Sequence, residues 1–352
     1  MNFPITLLSL VLVLSCSTSS KEDGQPQTEY YPPIGGNDWE QISTGELGWN
    51  AAATTELSNY LEQKNTKAFI ILVDGKIAIE NYYNGHTASS PWYWASAGKP
   101  LTTAITGIAE QEGLLHRNDK VSEHLGAGWT SAPSEKENLI TIRHLLSMNS
   151  GLDETLGDDV SPSNLQYVAD AGTRWAYHNV YVKLQDVVAE ASGQDFTAYF
   201  NAKLRDRVGM TGIWIPNGGL QVYWSTARSM ARFGLLMQRN GKWQGETIVD
   251  AGYLADARNS SQDLNPAYGY LWWLNGKSSY MLPQTQFTFS GPIIPTAPAD
   301  MYAALGKNDQ KIYVVPSKKM VVVRMGDAAD GSNFALSDFD EVLWEKISAL
   351  YE

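Results

Sequence analysis

The chain predicts an α+β fold in α/β/α layers. One antiparallel sheet is assembled from both ends of the chain, flanked by N- and C-terminal helices, with a helical subdomain inserted between. Three features point to it. Lys67 to Val73 and Lys76 to Tyr83 are β-branched runs around Asp74-Gly75, a dipeptide suited to a type I′ hairpin. A second such pair, Lys311 to Val315 and Met320 to Met325, flanks Pro316-Ser317-Lys318-Lys319. Between the hairpins, from about Leu114 to Ala257, helical pieces alternate with loops containing Gly and Pro.

The first residues lie outside the fold. Ile5 to Leu14 is an apolar run of ten residues, too short to cross a bilayer and right for a signal-peptide core. It ends Val13-Leu14-Ser15-Cys16, which resembles a bacterial lipobox, where Cys16 would be lipidated and become the new N-terminus. No Lys or Arg precedes the run, so an ordinary signal peptide with a chance cysteine is the other reading. Residues 1–15 are thus read as a lipoprotein signal peptide, 16–38 as a polar flexible tether, and 39–352 as the folded domain, with the helical subdomain at about 114–257.

Within the domain, Trp49 to Gln63 reads as a helix with Leu57, Tyr60 and Leu61 on one face. After the first hairpin, Leu101, Ala104, Ile105, Ile108 and Ala109 fall at helical spacing, and Gly113 closes the run. Pro100 is compatible with this helix if Ser96 caps it, because the first turn's N–H groups have no internal partner. Leu184 to Ala191 and Ser229 to Gln238 read as further amphipathic helices. Tyr268 to Leu274 is aromatic and extended. The chain closes with a helix over Asp338 to Tyr351, capped by Ser337, with Phe339, Val342, Leu343, Ile347 and Leu350 inward.

Bulk composition excludes several functions. The chain has 352 residues, 43% hydrophobic, and a net charge of −12, which argues against a nucleic-acid partner. One cysteine rules out a disulfide framework, and none of the five histidines sits in a His-Glu-x-x-His pattern, so neither a metal nor another cofactor is expected.

The chemistry concentrates in Ser96-Ala97-Gly98-Lys99. Side chains at i and i+3 share a helix face, so the lysine amine can reach the serine oxygen and take its proton. Further on, Trp175-Ala176-Tyr177-His178-Asn179 places a phenol and an amide two residues apart, pointing the same way in an extended segment. A buried tyrosine that merely hydrogen-bonds is the plain alternative. Later, Gly306-Lys307-Asn308-Asp309-Gln310 opens a strand, where Lys307 either steers an anionic group or is a solvated edge lysine. Twelve tryptophans, Trp92, Trp94 and Trp175 among them, either wall a pocket or pack the core.

Ser-x-x-Lys, then Tyr-x-Asn, then a basic residue on a late strand resembles the class C β-lactamase-related serine hydrolases, which include DD-peptidases, carboxylesterases and 6-aminohexanoate-dimer hydrolases. Thr141-Ile142-Arg143-His144-Leu145-Leu146-Ser147-Met148-Asn149-Ser150-Gly151, Gly209-Met210-Thr211 and Met230-Ala231-Arg232-Phe233-Gly234 also look like family segments, so the resemblance covers roughly Gln41 to Tyr351. It implies a β-lactamase/DD-peptidase-like sheet. It makes Ser96 the acylated nucleophile, Lys99 its proton acceptor and Tyr177 the base that later activates water. Asn179 and Lys307 would orient substrate and keep Tyr177 partly ionised, and the backbone N–H groups of Ser96 and Gln310 would form the oxyanion hole.

The third motif departs from the family's Lys-Thr-Gly or His-x-Gly, because Asp309 stands where glycine is expected. Either its carboxylate borders the acyl pocket and repels anionic substrates, or it turns away and pairs with Lys307. The chain therefore reads as a lipid-anchored hydrolase of the bacterial cell envelope, acting on a small ester or amide, with the membrane reached by the anchor alone. DD-peptidase, β-lactamase or a non-catalytic tethered binding protein are the alternatives.

Overall fold

The computed structural model describes residues 1, 29–36, 38–331 and 336–352. The apolar leader, Cys16 and most of the tether lie outside the described residues.

The strands are β1 (Thr66–Val73), β2 (Lys76–Tyr82), β3 (Trp92–Tyr93), β4 (Ile213–Asn217), β5 (Leu220–Ser225), β6 (Lys242–Trp243), β7 (Glu246–Thr247), β8 (Trp273–Leu274), β9 (Ser279–Met281), β10 (Thr288–Ser290), β11 (Tyr302–Gly306), β12 (Gln310–Val315) and β13 (Met320–Gly326). The helices are α1 (Ala51–Gln63), α2 (Lys99–Gln111), α3 (Val121–Leu125), α4 (Ser134–Glu137), α5 (Ile142–Leu146), α6 (Lys183–Ser192), α7 (Phe196–Phe200), α8 (Ala227–Gln238), α9 (Ala251–Ala257) and α10 (Asp338–Ser348).

The main sheet runs β2-β1-β13-β12-β11-β8, antiparallel throughout. The two hairpins meet where β1 pairs with β13, so the sheet is closed by residues from both ends of the chain, as the patterning predicts. Every residue of β13 is buried, because helices cover both faces. On one face α1 and α10 pack together, started by the Asn50 cap and by a capping box between Ser337 and Asp340. On the other face α8 lies directly on β12 and β13. Gly234 permits that contact, since a Cβ there would stand 2.4 Å from Val321 Cγ1.

Three expectations need correction. The inserted subdomain is not all helical: β4 and β5 pair with β3 in a separate three-stranded sheet. Trp214 turns inward against Phe200 and Tyr223, while Ile213 and Ile215 face out, so the alternation lacks a polar face and hides the strand. Only Trp273–Leu274 of the aromatic stretch is a strand. Finally, the folded body starts before residue 39. Pro33 O accepts 2.8 Å from buried Arg232, Glu29 pairs with buried Arg239 at 3.3 Å, and the Tyr31 ring packs tilted against Trp243. This strap crosses the sheet end at Gly75, where a Cβ would stand 2.6 Å from Tyr30 O.

Candidate active site

A cleft of about 650 Å³ opens between the sheet edge and the inserted subdomain. Ser96, Lys99, Tyr177, Asn179 and Lys307, drawn from three distant stretches of chain, all line it.

Ser96 sits in a one-turn 3-10 helix, Ala95–Gly98, that runs straight into α2. It is therefore not the helix cap: Gly98 holds that position and Pro100 lies in the first turn, where it removes no helical bond. The extra turn begins at Ala95 with φ +47°, a left-handed conformation that a non-glycine residue adopts only under constraint from its surroundings. Trp94 supplies it. Its ring is fully buried, its Nε1 donates 2.7 Å to Ser225 Oγ, and its backbone N donates to Tyr223 O.

Lys99 Nζ lies 2.9 Å from Ser96 Oγ. The lysine is 3% exposed and its nitrogen rests over the rings of Tyr177 and Tyr181, at 4.7 and 4.5 Å. Burial without a contacting carboxylate lowers its pKa to about 7, the charge of Asp158 opposing this only weakly. Near neutrality a large share of this amine is unprotonated and able to accept a proton.

Tyr177 hydrogen-bonds Ser96, and its ring stacks on Trp273 within a cluster that includes Trp175 and Tyr268. Burial raises its pKa, and the bond from Ser96 is the one influence lowering it. Neither Lys307 nor Asn179 hydrogen-bonds Tyr177, although both line the same cleft. Asn179 Nδ2 instead donates 2.5 Å to Asp158 Oδ1. Tryptophans back this wall rather than line it: Trp94, Trp175, Trp272 and Trp273 are all core.

The third motif is shifted in register. β11 and β12 form a hairpin in which Gly306 pairs with Gln310, and Lys307–Asp309 is the connecting turn. Gln310 is fully buried, with its side chain bonded to Gly326 N and O, so it does not reach the cleft. The residue that brings the strand against the Ser96 turn is Gly306, where a Cβ would lie 2.6 Å from Trp94 O and 2.8 Å from Ala97 N. Asn275 N donates to Met301 O, so odd-numbered residues of β11 aim their backbone groups at this edge. The partner strand β8 ends opposite Ala303, and Gly306 is still extended. The free N–H pointing at the cleft past that end is therefore that of Lys307, not Gln310. Facing it, Ser96 N–H belongs to the first turn of a helix and has no intrahelical partner.

Asp309 borders no acyl pocket. It is fully buried behind the sheet and pairs with Lys311 at 3.1 Å, not with Lys307. Besides the near-neutral amine of Lys99, the acidic and basic side chains that line the cleft are Lys307, Asp158 and Glu154, the last paired with Arg174 at 2.5 Å. Asp158, Tyr181 and Gly306 were not singled out from the sequence. Tyr181 stands four residues after Tyr177, in the short 3-10 helix Asn179–Val182, and Gly306 was read only as the first residue of a segment opening a strand. Among the described residues no group of His, Cys, Asp and Glu could hold a metal ion.

A layered sheet with a half-buried serine bonded to a buried lysine at a helix start, met by a phenol and a strand edge, defines the scaffold class. The beta-lactamase family model matches residues 57–342, and the chain belongs to that family. Among solved structures, a candidate 6-aminohexanoate-dimer hydrolase from Bacillus anthracis is 18% identical, with a TM-score of 0.68 over 91% of this chain and 89% of that one. A candidate beta-lactamase from Bacteroides dorei is 17% identical, with a TM-score of 0.68 over 86% and 99%. EstCE1, a hydrolase with promiscuous acyltransferase activity, is 15% identical, with a TM-score of 0.64 over 86% and 98%. No curated protein matches the chain.

Proposed function

We propose that this protein is a serine hydrolase that acts through a covalent acyl-enzyme on Ser96, of the esterase or amidase type. The observation that carries the reading is the 2.9 Å contact between Ser96 Oγ and a buried Lys99 amine with a pKa near 7. A structural lysine in that setting would be paired or solvated; this one is aimed at a hydroxyl in a cleft.

In acylation, Ser96 Oγ attacks the substrate carbonyl as its proton passes to neutral Lys99. The oxyanion is received between the N–H groups of Ser96 and Lys307, the first at a helix start where the dipole favours negative charge. The bond to the leaving group breaks, and the proton held by Lys99 is delivered to it. Water then attacks the acyl carbon as its proton passes to Lys99; the bond to Ser96 Oγ breaks, and Lys99 returns that proton to Ser96, restoring the hydroxyl and the neutral amine. Tyr177, kept as a protonated phenol by burial, relays protons at Ser96 rather than serving as the base.

The solved neighbours support an ester or amide substrate, one being a candidate 6-aminohexanoate-dimer hydrolase and another a hydrolase with promiscuous acyltransferase activity. The cleft offers Lys307 and Asp158, one charge of each sign. Asp309, buried away from it, does not discriminate against a β-lactam. The DD-peptidase and β-lactamase readings draw on penicillin-binding-protein homologues of similar fold, such as one from Caulobacter crescentus with a TM-score of 0.63.

A fluorophosphonate probe tests the mechanism. The intact protein should be labelled and Ser96→Ala should not; an unlabelled wild type would favour a non-catalytic binding protein. Turnover of p-nitrophenyl butyrate against nitrocefin then separates esterase from β-lactamase, and dominant nitrocefin hydrolysis would overturn the ester preference.

A further inference from the structure

We infer that Asp309 is a positioning residue, a buried carboxylate that latches the cleft-lining turn Lys307–Asp309 to the start of the C-terminal helix. This rests on the reading of Ser96 as nucleophile only for its effect on rate.

The turn has two consecutive residues in the left-handed region. Asn308 and Asp309 have φ of 59° and 58°, a conformation that glycine adopts freely and that asparagine and aspartate tolerate best among the other residues. The contacts made by Asp309 show what holds the turn in addition. Asp309 is 0% exposed, and its two carboxylate oxygens are satisfied from three directions. Ala329 N donates at 3.0 Å, Ser337 Oγ at 3.1 Å, and the Lys311 ammonium lies at 3.1 Å. Ser337 caps α10, and Lys311 continues to Asp340 at 2.8 Å in the first turn of that helix, where Tyr313 also bonds.

The backbone of the turn is gripped as well. Arg324, fully buried on β13, donates to Asn308 O at 3.0 Å and Asp309 O at 3.1 Å, and its other nitrogen reaches Lys64 O and Asp327 O. Asn308 Nδ2 donates 2.7 Å to Tyr93 OH. Asp309, Asp340, Lys311 and Arg324 together carry two charges of each sign, so the buried set is neutral as it stands. Removing the Asp309 carboxylate leaves a buried excess of positive charge and frees one side of the turn.

Lys307 is the first residue of this turn, and its N–H and side chain face the cleft. A turn free to swing would displace that donor, and misplacements of about 1 Å can cost about a hundredfold in rate.

Asp309→Gly distinguishes a latch from a conformational requirement, because glycine is the best residue for positive φ. Two readouts are taken on the full chain: the rate of fluorophosphonate labelling with kcat and KM for p-nitrophenyl butyrate, and amide hydrogen exchange across residues 303–312. The latch requires labelling and kcat to fall about tenfold or more with KM within about twofold, and exchange in the turn to quicken. Wild-type labelling together with wild-type exchange would show that only backbone conformation matters and overturn the latch. If the wild type is never labelled, the acyl-enzyme reading fails instead, and exchange alone decides: an unchanged turn still refutes the latch. Should Asp309→Gly not fold, Asp309→Asn, which keeps the shape and an acceptor, is judged by the same two readouts.

Discussion

Replacing Lys99 by methionine should make the protein more stable while abolishing its chemistry, and the gain should depend on pH. Lys99 is 3% exposed and its pKa is lowered from 10.5 to about 7 by burial. The unfolded chain therefore binds more protons than the folded one between about pH 7 and 10.5, and wild-type stability rises with pH across that window. Integrating between the two pKa values, the cost of housing this amine is roughly 5 kcal/mol at pH 6 and roughly 2 kcal/mol at pH 9, before subtracting about 1 kcal/mol for the lost bond to Ser96. Methionine fills similar volume and carries no charge, so Lys99→Met should gain several kcal/mol at pH 6 and little at pH 9. Urea unfolding of both proteins at the two pH values measures the difference, with fluorophosphonate labelling run in parallel. A stability gap that is the same at pH 6 and pH 9, or a variant that still labels, would refute the assignment of Lys99 as a buried, near-neutral base.

Two further outcomes follow from the cleft. The kcat/KM for an uncharged ester should rise with pH through about 7 and then level off, as Lys99 loses its proton; a profile flat from pH 5 to 9 would contradict the role given to it. Gly306→Ala would push a methyl into the backbone of Trp94 and Ala97, so labelling of Ser96 should slow by about a hundredfold; an alanine variant at wild-type rate would remove Gly306 from the oxyanion edge.

What could be read directly from the residues was local. The Asp74-Gly75 hairpin, the helix after Ser96 and the closing helix capped by Ser337 each follow from short-range spacing, and the structure keeps all three to within a few residues. The Ser-x-x-Lys pair was equally accessible, because i, i+3 geometry is a property of one helical turn. The register of the third motif was not. Gly306 matters because a strand from one end of the chain passes against a turn more than two hundred residues earlier, and no local pattern encodes that approach. Asp309 misled for the same reason: a carboxylate in a turn reads as solvent-facing until the cations behind the sheet are seen. The structure sets Tyr177 beside Ser96, but the burial that raises its pKa was not legible, since it depends on Trp175 meeting Tyr268 and Trp273 from a second, distant segment.

The strap formed by residues 29–36 enters at the Gly75 end of the main sheet, whereas Gly306, Lys307 and Ser96 stand at the other end. Those poles are separated by the length of an eight-residue strand, about 26 Å. Were Cys16 to carry a lipid, the thirteen residues from 16 to 28 could extend at most about 45 Å before the body begins. Such a tether would attach at the pole of the body opposite the cleft and leave the mouth of the cleft unobstructed.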